Sequence, residues 1–395
     1  MDFNQKGKIL ISCPLKITPY LKEELSQLGF SVLNEGPTSV ETEGTISDTI
    51  TLNLNLRTAN RVTFLINQFT AKSPDELYEG IKTKIYWEGI LDQNGYFSIM
   101  SYAEHPSINN AMFVNQRCKD AIADYFLEKF KTRPDSGPEK NKTVFYIYWK
   151  DNNVSVYLDT SGESLSKHGY RKISFLAPMQ ESLAAALILS GKWDKNSHFI
   201  NPMCGSGTLA IEAALIAAER ANGLLRVNYG FMHIKGYDET VYLAERKKAK
   251  EKVKRKLAFK IIATDNDPRA IDAARQNAMT AGVDHLIEFN VCDFAETEIP
   301  EGNGVIIINP PYGERIGEEA ELEFLYTGIG DFFKRRCQGY TGYVFTGNPG
   351  LAKKIGLKTK RRIEFYNAKI ECRLLEFELY GGSRKKFKEE IPVIS

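Results

Sequence analysis

From about residue 180 to residue 345, short aliphatic runs alternate with helical stretches, and this rhythm constrains the fold more than any other feature. His198-Phe199-Ile200, Lys260 to Thr264, Leu286 to Val291, Val305 to Ile308 and Tyr343-Val344-Phe345 read as strands. Between them, Ala184 to Leu189, Thr208 to Arg220 and Pro268 to Ala281 read as helices, the second rich in the strong helix formers Ala and Leu. Alternation of this kind predicts a doubly wound, mainly parallel sheet. Lys369 to Tyr380 alternates with period 2 and, following Arg361 to Phe365, predicts a closing antiparallel hairpin.

The first 160 residues have a different texture. Ile9 to Cys13 is an apolar strand, and Pro19 starts a helix that runs to Leu28 and ends at Gly29. Leu52-Asn53-Leu54-Asn55-Leu56 alternates strictly and predicts a strand. Residues 75 to 86 and 110 to 131 read as helices. Val144 to Trp149 and Val154 to Leu158 flank Asp151-Asn152-Asn153 as a hairpin. Strands and helices mix here in α+β fashion, with no catalytic constellation.

Bulk properties narrow the function classes. The chain has 395 residues, enough for two or three domains. Nothing approaches the roughly 18 consecutive apolar residues of a membrane span. The N-terminus lacks the zones of a signal peptide, which makes the cytoplasm the expected location. Six cysteines lie scattered without a C-x-x-C pair, which excludes a disulfide framework and a zinc site of familiar spacing. Net charge is only +2, yet basic residues cluster in three runs. These are Arg246 to Lys256, then Lys353, Lys354, Lys358, Lys360, Arg361 and Arg362, then Arg384, Lys385, Lys386 and Lys388. Their clustering predicts a basic surface suited to nucleic acid.

Chemistry gathers at the ends of four predicted strands, where ligands of such sheets bind. Asn201-Pro202-Met203-Cys204-Gly205-Ser206-Gly207 leaves the first strand, and its glycines allow backbone to approach a ligand closely. Asp265 ends the second, where it can accept both hydroxyls of a ribose or cap the next helix. Asp293, followed by Phe294, ends the third, placed to accept an adenine amino group or to serve as an ordinary loop acid. Asn309-Pro310-Pro311-Tyr312 ends the fourth. Asn309 and the Pro310 carbonyl can each accept from an exocyclic –NH2, and Tyr312 offers a ring face to a base. Gly205-x-Gly207-x-x-Ala210 satisfies the dinucleotide fingerprint, but that fold places its acid about 20 residues on. Asp265 lies 60 positions after Gly205, a spacing that favours a nucleoside cofactor delivering to a base.

With these motifs in view, residues 165 to 380 resemble the class I S-adenosylmethionine-dependent RNA methyltransferases of the THUMP-domain, guanine-N2 type. The resemblance rests on Asn201 to Thr208, Ala263 to Asp267, Asn309 to Arg315 and Glu371 to Leu374. Leu52 to Val62 and Val154 to Arg171 look like the ferredoxin-like and THUMP module of the bacterial 23S rRNA guanine-N2 methyltransferases. The resemblance implies a ferredoxin-like part at 1–60, a THUMP RNA-binding domain at 61–160 and a Rossmann-like methyltransferase domain at 161–395. That last domain would carry a seven-stranded doubly wound sheet closed by an antiparallel hairpin. The implied activity is methylation of guanine N2 in 23S rRNA, with tRNA guanine-N2, adenine-N6 or a non-catalytic RNA-binding role as alternatives. Asn201, Gly205 and Gly207 would meet the methionine part of the cofactor, with Met203 and Asn266 also at the cofactor. Asp265 would take the ribose, and Asp293 with Phe294 the adenine. Asn309 and Pro310 would orient the target amino group, and Tyr312 would stack on the base. RNA is the implied partner, no metal is required, and a monomer is the default. The larger bacterial relatives carry a second methyltransferase domain after this one, and these 395 residues are expected to lack it.

Overall fold

The computed structural model describes residues 3–108, 110–174, 179–191, 193–313 and 319–380. Its chain divides into two compact units, Met1–His168 with Arg220–Val253, and Gly169–Glu219 with Lys254–Ser395.

In the first unit, eight strands form one sheet. In chain order the elements are β1 (Gly7–Ser12), α1 (Thr18–Gln27), β2 (Val32–Gly36), β3 (Ser39–Gly44), α2 (Ile46–Asn55), β4 (Arg61–Thr70), α3 (Pro74–Thr83), β5 (Tyr96–Glu104), α4 (Ala111–Phe130), β6 (Asp135–Ser136), β7 (Thr143–Lys150) and β8 (Asn153–Asp159). The spatial order is β2-β3-β1-β4-β8-β7-β5-β6. β4 pairs with β1 along one side and β8 along the other, so a single sheet runs through the whole unit.

The strand expected at Leu52 to Leu56 is instead the end of helix α2. Thr45 and Asp48 form a reciprocal capping box that starts the helix. The two asparagines that alternation would have turned to solvent fold back onto the helix. Asn53 Nδ2 donates to the Thr49 carbonyl at 2.8 Å and to Thr160 Oγ1 at 2.9 Å, and its Oδ1 accepts from the Ser161 hydroxyl at 2.6 Å. Asn55 Nδ2 donates to the Thr51 carbonyl at 2.8 Å. With its polar groups satisfied, Asn53 is fully buried beside Leu52 and Leu54, and a period of 2 carries no strand.

The first unit also takes Arg220–Val253, a stretch lying inside the span expected as the methyltransferase domain. Tyr229 and Phe231 are fully buried and stack at 4.9 Å, with Tyr242 against both. Burial of side chains this size stabilises by about 1.5–3 kcal/mol each, which makes the stretch part of the first unit's core. Phe231 N–H donates to the Thr160 carbonyl at 3.0 Å, and Asn222 Nδ2 to the Leu56 carbonyl at 3.1 Å. Helix α7 (Glu239–Glu251) carries the start of the first basic run, much of which is internally committed. Arg246 donates to the carbonyls of Leu224 and Arg226, while Lys248 pairs with Glu245 and Lys254 with Glu219.

The second unit is built from α5 (Glu181–Ser190), β9 (His198–Pro202), α6 (Thr208–Ala217), β10 (Ile261–Asp265), α8 (Pro268–Ala281), β11 (Ile287–Val291), β12 (Gly304–Ile308), α9 (Glu319–Arg336), β13 (Tyr340–Thr346), α10 (Pro349–Lys354), β14 (Arg361–Asn367) and β15 (Ile370–Glu378). Its seven strands run β11-β10-β9-β12-β13-β15-β14; the first five are parallel, and β15 is antiparallel to both of its neighbours. This is the doubly wound sheet with a closing hairpin that the alternation predicts. On one face Ile200, Ile262, Ile306 and Ile308 pack against Tyr326, Ile329, Phe332 and Phe333 of α9. Helix α6 is buried along its whole length, which explains why its sequence is apolar apart from Thr208 and Glu212. Among the described residues, no helix is long and apolar enough to cross a membrane.

The excursion leaves and re-enters the second unit at one point. Lys254 N–H donates to the Ala218 carbonyl at 2.8 Å. A chain beginning at Gly169 that keeps 220–253 should therefore bind an apolar dye and aggregate. Its counterpart with 220–253 replaced by a short Gly/Ser linker should stay soluble, as read by light scattering and dye fluorescence.

Candidate functional site

The chain runs from β9 to β10 on one side and later crosses to β12 on the other, which makes the carboxyl end between β9 and β12 the switch point of the sheet. The β9–β12 ladder stops at Ile200 opposite Ile306. One residue on, Asn201 takes over with its side chain. Its Nδ2 donates to the Ile307 carbonyl at 2.9 Å, while its Oδ1 is buried and has no hydrogen-bond partner. A buried acceptor left unpaired costs about 1–3 kcal/mol, which makes this oxygen a candidate to accept from a ligand's donor.

Beyond Asn201 the chain turns through three residues with positive φ, Met203 at 54°, Gly205 at 53° and Gly207 at 81°. The two glycines differ. A Cβ on Gly207 would lie 2.8 Å from Ala274 Cβ, so its absence lets α6 start hard against α8. A Cβ on Gly205 would meet nothing within 4 Å, so this backbone faces open space. Gly207 supplies no side-chain cap, which leaves the first-turn N–H groups of α6 free of side-chain partners at the crevice. Burial, with the charge of Asp265 adding to it, pushes the Cys204 thiol well above its usual value and keeps it neutral.

Asp265 ends β10. Its Oδ2 accepts from Gly205 N–H at 2.9 Å and its Oδ1 from Asp267 N–H at 3.1 Å. The helix-capping duty falls to Asp267, whose carboxylate accepts from Arg269 N–H. Each Asp265 oxygen thus keeps a lone pair for a hydroxyl. Asn266 is exposed beside it. After β11, Asp293 is exposed and uses Oδ1 to accept from Ala295 N–H at 2.8 Å, capping a short turn and leaving Oδ2 open. Phe294 is half-buried, its ring edge-on to Phe332 at 5.9 Å.

At the end of β12 the Asn309 Oδ1 is buried and without a hydrogen-bond partner, as in Asn201. Pro310 is buried and Pro311 exposed. Tyr312 is half-buried and gripped from behind. Its hydroxyl accepts from Asn367 Nδ2 at 2.9 Å and lies 3.8 Å from Cys372 Sγ. Its ring stands edge-on to Phe345 at 6.3 Å. A Cβ on Gly347 would come within 3.1 Å of that ring. Burial pushes the Tyr312 phenol up to about 12, so it is neutral throughout the physiological range. At the usual strand spacing of about 4.8 Å, the four strands from β11 to β12 spread these residues over about 14 Å. The row reads Asp293, Asp265, Asn201, Asn309.

Several supporting residues escaped the sequence reading. Asn277, fully buried in α8, donates to the Ser206 carbonyl at 3.2 Å and the Ile173 carbonyl at 2.9 Å, and accepts from the N–H groups of Lys172 and Ile173. Arg171 donates to Thr208 Oγ1 at 3.1 Å. An asparagine inside an Ala-rich helix is a poor helix former and was the available signal. Glu314 and Arg315, which extend the Asn309 motif, lie outside the described residues, as do Arg384, Lys385, Lys386 and Lys388.

Comparison with known proteins places the chain. Residues 168–376 match the family described as UPF0020, RMKL-like, methyltransferase domain. Residues 8–63 match the RlmL ferredoxin-like domain and 71–159 the THUMP domain. The chain is 36% identical over 383 residues to the ribosomal RNA large subunit methyltransferase K/L of Syntrophotalea carbinolica, covering 94% of this chain and 53% of that protein. It thus spans about half the length of the curated relatives it matches. Among solved structures, a putative methyltransferase, SMU.472, complexed with SAH, superposes with a TM-score of 0.86 at 28% identity, over 97% of this chain and 100% of that one. A predicted N6-adenine-specific DNA methylase from Listeria monocytogenes str. 4b F2365 gives 0.85 at 28% identity, over 96% and 97%. With its sheet, its glycine loop and more than half its length matched, the chain belongs to the RMKL-like methyltransferase family.

Proposed function

We propose that this protein transfers a methyl group from S-adenosylmethionine to the exocyclic N2 of a guanine in 23S rRNA. The observation that carries the reading is the buried, unpartnered Oδ1 of Asn309 beside a rigid diproline turn and the gripped ring of Tyr312. The K/L relatives are named for large-subunit rRNA, and the THUMP match argues for an RNA substrate.

The residues present fit the cofactor. Asn201 Oδ1 and the first-turn N–H groups of α6 would hold its amino-acid part, with Met203, Gly205 and Gly207 shaping the turn around it. Asp265 would accept from the ribose hydroxyls, beside Asn266. Asp293 and Phe294 would border the adenine. When bound, the cofactor supplies a methyl carbon on a positively charged sulfonium. The protein's own contribution is orientation, which can remove roughly 7–11 kcal/mol of barrier at its upper limit. Asn309 Oδ1 and the Pro310 carbonyl accept the two N–H bonds of the amino group and aim its lone pair away from them, into the crevice. Tyr312, neutral and held by Asn367, keeps the base in plane by stacking and takes no proton; the nitrogen, cationic once the methyl is in place, gives up one of its protons to water. The target base leaves its stack to get there, at a cost of a few kcal/mol.

In this reading residues 1–60 and 61–160 recognise the RNA. Residues 161–395 carry the transfer, and the protein works as a cytoplasmic monomer. A second reading, adenine N6, draws on the description of the similar Listeria protein and on the same acceptor pair. The test is transfer of labelled methyl to RNA from a strain lacking this protein, followed by digestion to nucleosides. N2-methylguanosine in large-subunit rRNA is expected; N6-methyladenosine would establish the second reading.

The two glycines of the turn should separate folding from binding. Gly207→Ala should lower the melting temperature, because the new methyl group meets Ala274. Gly205→Ala, at φ +53°, should cost about 1–2 kcal/mol of backbone strain yet mainly weaken S-adenosylhomocysteine binding, measured by calorimetry.

Tyr312→Phe should keep most of the activity, and Tyr312→Ala should lose roughly 5- to 150-fold, the worth of about 1–3 kcal/mol of stacking. Because the phenol is raised, its neutral form persists until the pH approaches about 12. The rate profile from pH 7 to 10 should therefore show no limb that Tyr312→Phe abolishes.

A further inference from the structure

The basic run from Lys353 to Arg362 has a feature that the proposed chemistry does not use. Three of its six cations are neutralised within the second unit. Lys354 pairs with Glu323 at 2.8 Å, Lys360 with Glu378, and Arg361 with Glu376. Lys353, Lys358 and Arg362 make no ion pair among the described residues, and Lys353, Lys358 and Arg362 are exposed. Lys353 and Arg362 line a hollow of about 740 Å³, and Lys358 lines a neighbouring one of about 460 Å³. The two hollows share Leu357 and Thr359 as a common wall.

The sheet register explains where this groove lies. Thr346 is opposite Arg373, and Arg373 opposite Glu364; Val344 is opposite Leu375, and Leu375 opposite Arg362. These two rows run across β13, β15 and β14 on one face, and Arg362, Arg373 and Leu375 line the floor of the larger hollow. Helix α10 and the segment after it supply the wall, through Ala352, Lys353 and Leu357. Gly347 borders the same hollow, and it is the residue whose missing side chain lets the Tyr312 ring approach. The groove and the ring proposed to hold the target base lie on opposite faces of the hairpin and meet at Gly347, at the end of β13. The one acid lining the larger hollow, Glu371, is exposed and paired with Arg373 at 2.5 Å.

The geometry points to this groove as the seat of the RNA strand that flanks the target nucleotide, with Lys353 and Arg362 on its phosphates and Lys358 on a phosphate further along. The inference rests on the RNA methyltransferase reading above. Unpaired cations over a partly apolar floor suit a polyanion whose sugars also need cover, and each phosphate contact releases counterions. The first basic run is a matched control: Arg246, Lys247, Lys248 and Lys254 in it are engaged inside the chain, while Lys250, Lys252, Arg255 and Lys256 make no ion pair among the described residues.

The test compares two double variants of the full chain, Lys353→Gln/Arg362→Gln in the groove and Lys252→Gln/Lys256→Gln in the first run. The readout is methyl transfer to unmodified 23S rRNA as a function of salt, with calorimetry of S-adenosylhomocysteine and thermal melting as controls. The groove variant should raise KM for RNA at least tenfold and flatten the slope of log kcat/KM against log salt by about 1.4, the worth of two lost single-strand phosphate contacts. Its kcat, cofactor affinity and melting temperature should be unchanged, and the first-run variant should behave as the parent. Equal losses in both variants, or no loss in the groove variant, would overturn the inference. A loss confined to ribosomal particles and absent on naked rRNA would also overturn it, by assigning the groove to a protein. An unsubstituted protein that transfers nothing to any RNA would instead remove the reading beneath it, and the groove's role with it.

Discussion

Everything at the candidate site depends on the parting of β9 and β12. Parallel strands at a switch point lose their common ladder, and here Asn201 spans the gap with a side-chain amide where backbone pairing ends. That bond ties the two strand ends together. It also leaves an amide oxygen facing inward with no partner, and Asn309 repeats the pattern across the crevice. Other buried polar atoms also lack a hydrogen-bond partner, but these two acceptors stand on adjacent strand ends at the switch point, where ligands of such sheets bind.

The two ends of the crevice are made differently. On the proposed cofactor side the work falls to backbone: a turn through positive φ, a helix that begins without a cap, and a carboxylate already tied to the turn by Gly205 N–H. On the proposed base side it falls to side chains, and these are braced by the closing hairpin. Asn367 and Cys372 sit at the Tyr312 hydroxyl, Phe345 at its edge and Gly347 at its face. The hairpin thus both completes the sheet and sets the aromatic ring, while its opposite face forms the floor of the basic groove.

Much of the second unit was legible because strands buried on both faces leave unmistakable aliphatic runs, and because Pro268 and Gly282 bracket α8 with ordinary helix signals. The site's strand-end residues followed from the same pattern. The misreading at Leu52 to Leu56 came from treating Asn as a solvent-facing residue; Asn53 is buried because Thr49, Thr160 and Ser161 satisfy it, and two of these partners lie more than 100 positions away. The excursion at 220–253 was hidden for a related reason. Its aromatic residues are bound to a core built by the first 168 residues, and no local periodicity reports which core a segment joins. Helix α9 went unremarked although Leu322, Leu325, Tyr326, Ile329 and Phe333 repeat at helical spacing, because acids and Gly328 and Gly330 interrupt it. Gly330 is there for contact: a Cβ would collide with the Ile355 carbonyl of the segment after α10. Charge was the least legible property. Runs of Lys and Arg look alike in sequence, and only their ion pairs distinguish committed cations from free ones.

The central claim is that the Asn309 carbonyl oxygen awaits the amino group of the target base. Single-turnover methyl transfer by Asn309→Ala, with S-adenosylhomocysteine affinity measured on the same preparation, tests it most directly. The account predicts a rate about 10²–10³-fold lower, in line with loss of one preorganised hydrogen-bonding group, with cofactor affinity within a few-fold of the parent. Near-normal transfer, or a parallel collapse of cofactor binding, would contradict it.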